Sequence, residues 1–199
     1  MAIADVLYAC IECGRLEALR PADNGTEICS RCGTRYRRVP YARIQVEPPG
    51  KPAEARSAGE WLDMLAAASL EDLDPARAEP VIVRIADRRR PHWTRGHYLG
   101  RIERFGPAIA GTLLLERDRL VFETADHHRA EWPLLDLTAV QPSSRTLQLK
   151  LRNGPLVSIR FPEGSAVLWE MRVQTALQDL YADLGKGTIL EFQPRIVTR

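Results

Sequence analysis

The sequence predicts a mostly-β, α+β chain in two parts: a small module folded around four cysteines, then a barrel of about seven antiparallel strands closed by a C-terminal helix. Three observations carry that expectation. Cys10, Cys13, Cys29 and Cys32 are the only cysteines and form two Cys-x2-Cys-Gly knuckles near the N-terminus. From Val81 the chain breaks into short apolar runs, among them the strict alternation Leu147-Gln148-Leu149-Lys150-Leu151. After Phe161-Pro162-Glu163-Gly164 the apolar spacing becomes helical.

Residues 6–46 read as short extended stretches punctuated by the Cys-Gly pairs and by the turn signal Asp23-Asn24-Gly25. Glu47-Pro48-Pro49-Gly50-Lys51-Pro52 reads as a linker, since proline supplies no backbone donor for regular pairing. Ser57 and Glu60 have capping-box spacing and open a helix over 58–68. Its apolar residues Trp61, Leu62, Leu65 and Ala68 share one face, which is expected to dock on a neighbouring domain. The expected domains are therefore 1–46, a linker over 47–80, a barrel over 81–184 and an extended tail over 185–199.

Within the barrel the expected strands are 81–86, 97–104, 110–116, 119–124, 134–140, 146–151 and 156–161. Glu116-Arg117-Asp118-Arg119 and Asn153-Gly154 fall where hairpin turns are needed. His127-His128 reads as a loop rather than a metal pair, because neighbours on a strand face opposite ways. Leu168, Trp169, Val173, Ala176, Leu177, Leu180 and Tyr181 form the stripe of the closing helix, which Gly185 and Gly187 end. Trp61, Trp132 and Trp169 are expected core anchors. A curled sheet leaves an open end, and an amphipathic helix of this kind plugs it.

Apolar residues make up 45% of the chain and charged residues 27%, which places it among folded globular proteins and excludes global disorder. The net charge of +2 selects no partner, but its distribution is uneven. Residues 81–106 hold seven arginines against only Asp87 and Glu103, while 51–80 hold seven acids against three basic residues. There is no secretory signal, and no apolar run approaches the roughly 20 residues that cross a bilayer. A cytoplasmic location is expected, where clustered cysteines bind metal rather than pair as disulfides.

Fifteen residues separate Cys13 from Cys29, a spacing that reads as a zinc site. A Cys-x2-Cys turn brings two thiolates onto one edge, and the glycine after it permits the positive φ needed as the chain curls back. Two knuckles facing each other complete a sulfur tetrahedron at about 2.3 Å from the metal. The module is thus read as a zinc ribbon with a structural Zn2+ and no position left for a catalytic water. Rubredoxin-like iron is the lesser alternative, because Tyr8, Tyr36 and Tyr41 are the only aromatics nearby. Arg31, Arg35, Arg37 and Arg38 line a basic edge that a nucleic acid can contact.

The segment Gly111-Thr-Leu-Leu-Leu-Glu-Arg-Asp-Arg-Leu-Val-Phe122 resembles the Gly-x-Leu, polar turn, Arg-Leu-x-Phe hairpin of GRAM and bacterial PH-like domains. Trp132-Pro-Leu-Leu-Asp-Leu-Thr-Ala-Val140 is similar to the family's next strand, and the strand ending at Phe161 with the helix near Trp169 completes the likeness. The resemblance covers about 81–182, roughly half the chain, and implies a PH-like barrel that binds lipids, peptides or partner domains. In lipid-binding members the loop between the first two strands supplies basic residues to headgroups. Here that loop is Asp87–Gly96, and the resemblance implies that Arg88, Arg89, Arg90, Trp93 and Arg95 contact acidic lipid. His92 and His97 accompany this basic stretch.

No phosphate-cradling glycine loop, nucleophile elbow or paired carboxylates in a catalytic context stand in the sequence. The expected function is a non-enzymatic adaptor that is recruited to an anionic membrane or to a protein partner, at the inner face of the membrane in the first case. Two alternatives differ in class: a nucleic-acid-binding zinc-ribbon protein, and the regulatory N-terminal part of a larger lipid-acting enzyme.

Overall fold

Five short strands, each following its neighbour in sequence, make the first sheet, and β-to-helix switching after Ser57 completes the unit. The computed structural model describes residues 2–68 and 78–187, with the side chains of Arg88, Arg89 and Arg101 outside that description. The chain divides into two compact units, Met1–Asp74 and Pro75–Arg199.

In the first unit β1 (Leu19–Pro21), β2 (Thr26–Cys29), β3 (Arg35–Val39), β4 (Arg43–Glu47) and β5 (Glu54–Ser57) pair antiparallel in chain order. One face carries Leu19, Cys29, Tyr36, Ile44 and Val46, all buried. Helix α1 (Ala58–Ala67) covers that face, burying Trp61 and Leu65. The Trp61 indole N–H donates to the Ile44 carbonyl at 2.9 Å, which fixes the helix on β4. Its N-terminus has the expected capping box: the Ser57 hydroxyl accepts from the Glu60 N–H, and the Glu60 carboxylate accepts from the Ser57 N–H.

Two expectations change here. The expected linker 47–52 is instead the end of β4 at Glu47 and a hairpin turn over 48–52: Lys51 N–H donates to the Pro48 carbonyl at 3.2 Å and Gly50 has φ 73°. Prolines are tolerated at a turn because no partner strand asks for their missing donors. Glu54–Ser57 then pairs with β4 as a strand that the linker reading did not contain, and α1 docks on the sheet formed by the expected 1–46 domain. Ala68 follows the helix and is exposed.

The second unit is a curled antiparallel sheet of seven strands with a C-terminal helix. Its strands are β6 (Glu79–Thr94), β8 (Ile109–Leu115), β9 (Arg119–Glu123), β10 (Arg129–Pro133), β11 (Leu137–Ser143), β12 (Thr146–Leu151) and β13 (Leu156–Arg160). They lie in the order β10-β9-β8-β6-β13-β12-β11, with β7 (His97–Phe105) off this path and paired only to β6. Alternation puts Val81, Val83, Leu113, Leu115, Leu120, Phe122, Leu147, Leu149, Val157 and Ile159 on the inner face. Helix α2 (Ala166–Asp183) seals the core with Trp169, Val173 and Leu177, its Trp169 ring stacked on Phe161 at 5.7 Å. Ser165 caps its start, and it ends in a Schellman motif in which Gly185, at φ 63°, lets Lys186 N–H reach the Tyr181 carbonyl.

The seven strands of the sheet are not the seven expected ones. Residues 129–133 form an additional strand, and 97–104 leave the sheet's main path. The run expected as one strand over 134–140 starts with a 3-10 turn at Leu134–Asp136. That turn lets Trp132 and Leu137 both face the core although the chain changes direction between them. The expected loop Asp87–Gly96 is mostly strand. β6 runs on to Thr94, turns through Arg95 and Gly96 at φ 50° and 80°, and returns as β7. Two left-handed residues are what a tight hairpin between twisted strands requires. Residues 188–199 of the expected tail lie outside the described residues.

The packing makes a substitution test. A Cβ on Gly111 would lie 2.5 Å from the Phe122 ring and 2.4 Å from the Glu123 carbonyl oxygen. Gly111→Ala should therefore destabilise the second unit by about 1–3 kcal/mol. Gly59 in α1 has open space around it, so Gly59→Ala should stabilise the first unit by up to about 1 kcal/mol. Thermal denaturation of the two variants beside the parent measures both.

Candidate metal centre

The two knuckles fold alike because each repeats the same local hydrogen bonds. In the first, Cys10 N–H donates to the Arg15 carbonyl at 3.0 Å and Gly14 N–H to the Cys10 carbonyl at 2.9 Å. In the second, Cys29 N–H donates to the Thr34 carbonyl at 2.8 Å and Gly33 N–H to the Cys29 carbonyl at 3.0 Å. Gly14 and Gly33 close these turns at φ 66° and 76°, a region that costs a side chain but not glycine. An isolated bridge between Ala9 and Leu16 anchors the first knuckle, and β2 running into β3 anchors the second.

The result brings all four predicted cysteines together. Their sulfurs lie within 4.8 Å of one another, with Cys10 to Cys32 at 3.5 Å and Cys13 to Cys29 at 3.8 Å. A tetrahedron with ligands at about 2.3 Å has edges of about 3.8 Å, so this spacing fits a single metal ion. None of the four forms a disulfide, and their spacing is far beyond the ~2.05 Å of an S–S bond. Cys10 and Cys29 are buried, while Cys13 and Cys32 are half-buried on the outer side.

Two groups behind the sulfurs were not foreseen from sequence. The Tyr36 hydroxyl, fully buried, donates to Cys10 Sγ at 3.0 Å and accepts from the Ile11 N–H at 3.0 Å. The Thr34 hydroxyl lies 3.1 Å from Cys32 Sγ. Both follow the second knuckle on or beside β3, but only the register of the folded sheet shows which way they face. Burial pushes the Cys10 thiol up to about 12, with the Tyr36 hydrogen bond opposing it. Burial also raises Cys13. At Cys32 burial acts upward too, but the Thr34 hydroxyl and N–H and the neighbouring sulfurs outweigh it and bring the thiol down to about 7. Tyr36 is raised by burial and by its bond to Cys10, so its phenol stays a donor. A cation held by the four sulfurs would offset the burial penalty on the Cys10 thiolate.

The second candidate site lies on the β6–β7 hairpin. Its register sets Arg88 opposite Arg104, Arg89 opposite Glu103 and Arg90 opposite Ile102. Arg90, Arg95 and Arg104 are exposed. Trp93 is 58% exposed and meets the edge of Tyr98 with ring centroids 5.2 Å apart. Tyr98, Leu99 and Ile102, which sequence reasoning passed over, are exposed beside it. His127 bonds Glu123 through Nδ1 at 2.8 Å in an exposed turn, as a loop residue does.

Removing a ligand should unfold the first unit and leave the second in place. Cys10→Ser is expected to abolish stoichiometric metal, read by atomic emission, and to remove one transition from thermal melting. Tyr36→Phe keeps the ring but leaves the Ile11 N–H and Cys10 Sγ without their partner, so metal affinity should fall about 10- to 100-fold in a chelator competition. Compared with known proteins, the chain matches no family model, and no curated protein is detectably similar to it.

Proposed function

We propose that the chain is a non-catalytic recruitment module, with a zinc ribbon in its first unit and a GRAM/PH-like barrel in its second that docks on an anionic membrane surface. The observation that carries the docking is the β6–β7 hairpin. It bears exposed Arg90, Arg95 and Arg104 together with exposed Trp93, Tyr98, Leu99 and Ile102. Guanidinium groups gain about 1 kcal/mol each near an anionic leaflet, and tryptophan and tyrosine rings settle at the headgroup level. Charge and apolar surface on one hairpin suit a bilayer interface, where both are satisfied at once.

The barrel reading rests on the seven-strand order and on α2, which packs against β11, β12 and the 3-10 turn between β10 and β11. Four thiolates suit zinc and iron alike, and the short spacing with only Tyr8, Tyr36 and Tyr41 as nearby aromatics favours a structural zinc over a rubredoxin-like iron. The resident ion supplies folding energy, and the protein's part is to hold four thiolates and shield them through Tyr36 and Thr34.

Sedimentation with phosphatidylcholine vesicles, with and without phosphatidylserine, tests the reading. Binding should require the anionic lipid and weaken with salt. Arg90→Gln with Arg95→Gln should weaken it about thirtyfold, the effect of two charges at about 1 kcal/mol each. Equal binding to neutral vesicles, or none to either, sinks the membrane reading and leaves a protein partner for the barrel.

A further inference from the structure

The outer face of the first sheet holds a feature that the β6–β7 hairpin and the metal centre do not account for. Strand register places Arg20, Ile28, Arg35 and Glu47 side by side in one row across the face. Thr26, Arg37, Gln45 and Ala55 form the next row, and Val39, Arg43 and Ser57 the last. Arg20, Arg35, Arg37 and Arg43 are all exposed. Among the described residues of these rows, Glu47 is the only carboxylate, so the face is strongly positive.

Three of the four guanidiniums are held by neutral acceptors, which orient them without cancelling their charge. Arg37 donates through Nε and Nη2 to Gln45 Oε1 at 3.1 and 2.9 Å. Arg20 donates to the carbonyls of Glu17 and Leu19 at 2.8 and 3.1 Å, and Arg43 donates to the Ala55 carbonyl. At the end of the β3–β4 hairpin, next to Arg43, Tyr41 is 95% exposed. Tyr41 and Ala42 both adopt left-handed backbone, at φ 65° and 55°. Left-handed backbone is usually filled by Gly, Asn or Asp, and placing a tyrosine and an alanine there in succession costs stability. A tyrosine placed in a costly turn, with its ring in solvent, contributes nothing to the core.

We propose that this face is a binding platform for single-stranded nucleic acid, with the arginines on successive phosphates and Tyr41 stacked on a base. Charge complementarity selects a polyanion. Arg35 and Arg37 stand two residues apart on one strand, roughly 7 Å, which spreads their charge along an extended backbone rather than onto one group. A lone aromatic offers a bilayer little apolar insertion, whereas one ring is enough to stack a base. The site lies on a different unit from the membrane-docking hairpin and does not depend on that reading.

The test uses the full zinc-loaded chain and fluorescence anisotropy with labelled oligothymidylate and oligouridylate, beside a duplex and beside phosphatidylserine vesicles. Binding to the single strands is expected in the micromolar range at ~50 mM salt, with a steep loss by ~200 mM. Tyr41→Ala should weaken it roughly tenfold, and Arg35→Gln with Arg37→Gln should weaken it further and flatten the salt dependence. The double variant Tyr41→Asn/Ala42→Gly relieves the turn, so it should melt at a higher temperature while binding more weakly, a combination that a structural role for Tyr41 does not give. Arg90→Gln/Arg95→Gln should leave oligonucleotide binding intact. No binding at low salt, preference for the duplex, or oligonucleotide affinity untouched by the Tyr41 and Arg35/Arg37 changes overturns the proposal. So does loss of vesicle binding, rather than oligonucleotide binding, on Tyr41→Ala.

Discussion

The first unit has a small interior: Trp61, Leu65, Ile44, Val46, Tyr36 and a few neighbours stand against the entropy of ordering five short strands. At this size a single apolar core supplies only a few kcal/mol, so a cross-link of some kind must supplement it. The four converging thiols are placed to supply one through a metal ion, which would tie the N-terminal turn to the β2–β3 connection and, through Tyr36, to the middle strand of the sheet. Burial pushes the Cys10 thiol up, a penalty that a cation bound by the four sulfurs would offset, so that metal binding would add to the folding energy of this unit. The N-terminal residues are drawn into the same arrangement, since the Glu27 carboxylate accepts from the Ile3 and Ala4 N–H groups at 2.5 and 2.8 Å.

The second unit solves a different problem. A strongly bent sheet has an open end and two outer strands, and here those strands, β10 and β11, are consecutive in sequence. The 3-10 turn that joins them brings Trp132, Leu134 and Leu137 inward together, and α2 lies over the opening with Trp169, Val173 and Leu177. The stacked pairs Phe122–Trp132 and Phe161–Trp169 place the largest rings at the two ends of this closure. Gly111 is the counterpart of that packing, a gap in β8 that the Phe122 ring occupies.

What was legible in the sequence was what local chemistry decides. The knuckles were readable because ligand spacing and glycine position are set within six residues of chain. The capping box of α1, the strand alternation of β12 and the glycine stop of α2 are local in the same sense. Glu54-Ala-Arg-Ser carries no strand signal of its own and is a strand because β4 stands next to it and Trp61 pins the helix that follows. The arginine-rich run from Asp87 to Gly96 looked like a loop, yet charges and Pro91 are compatible with a ribbon whose outer edges meet water. Tyr36 and Thr34 were missed for a related reason: a contact with sulfur from the adjoining strand is a fact of register, which one sequence does not display.

β6 serves two structures at once. Its first half lies in the middle of the curled sheet, hydrogen-bonded to β8 on one side and β13 on the other, and its second half is one leg of the exposed hairpin. The two halves meet at a bulge between Ala86 and Arg88, where the strand leaves the sheet without a break in the chain. A hairpin grafted onto an outer strand would peel away one hydrogen bond at a time under tension. Here tension along the strand at Trp93 passes down the backbone into the central strand of the curled sheet, where hydrogen bonds to both neighbours share it. The hairpin is thus rooted in the middle of the curled sheet, and its position is set by the sheet's central pairings rather than by an outer strand.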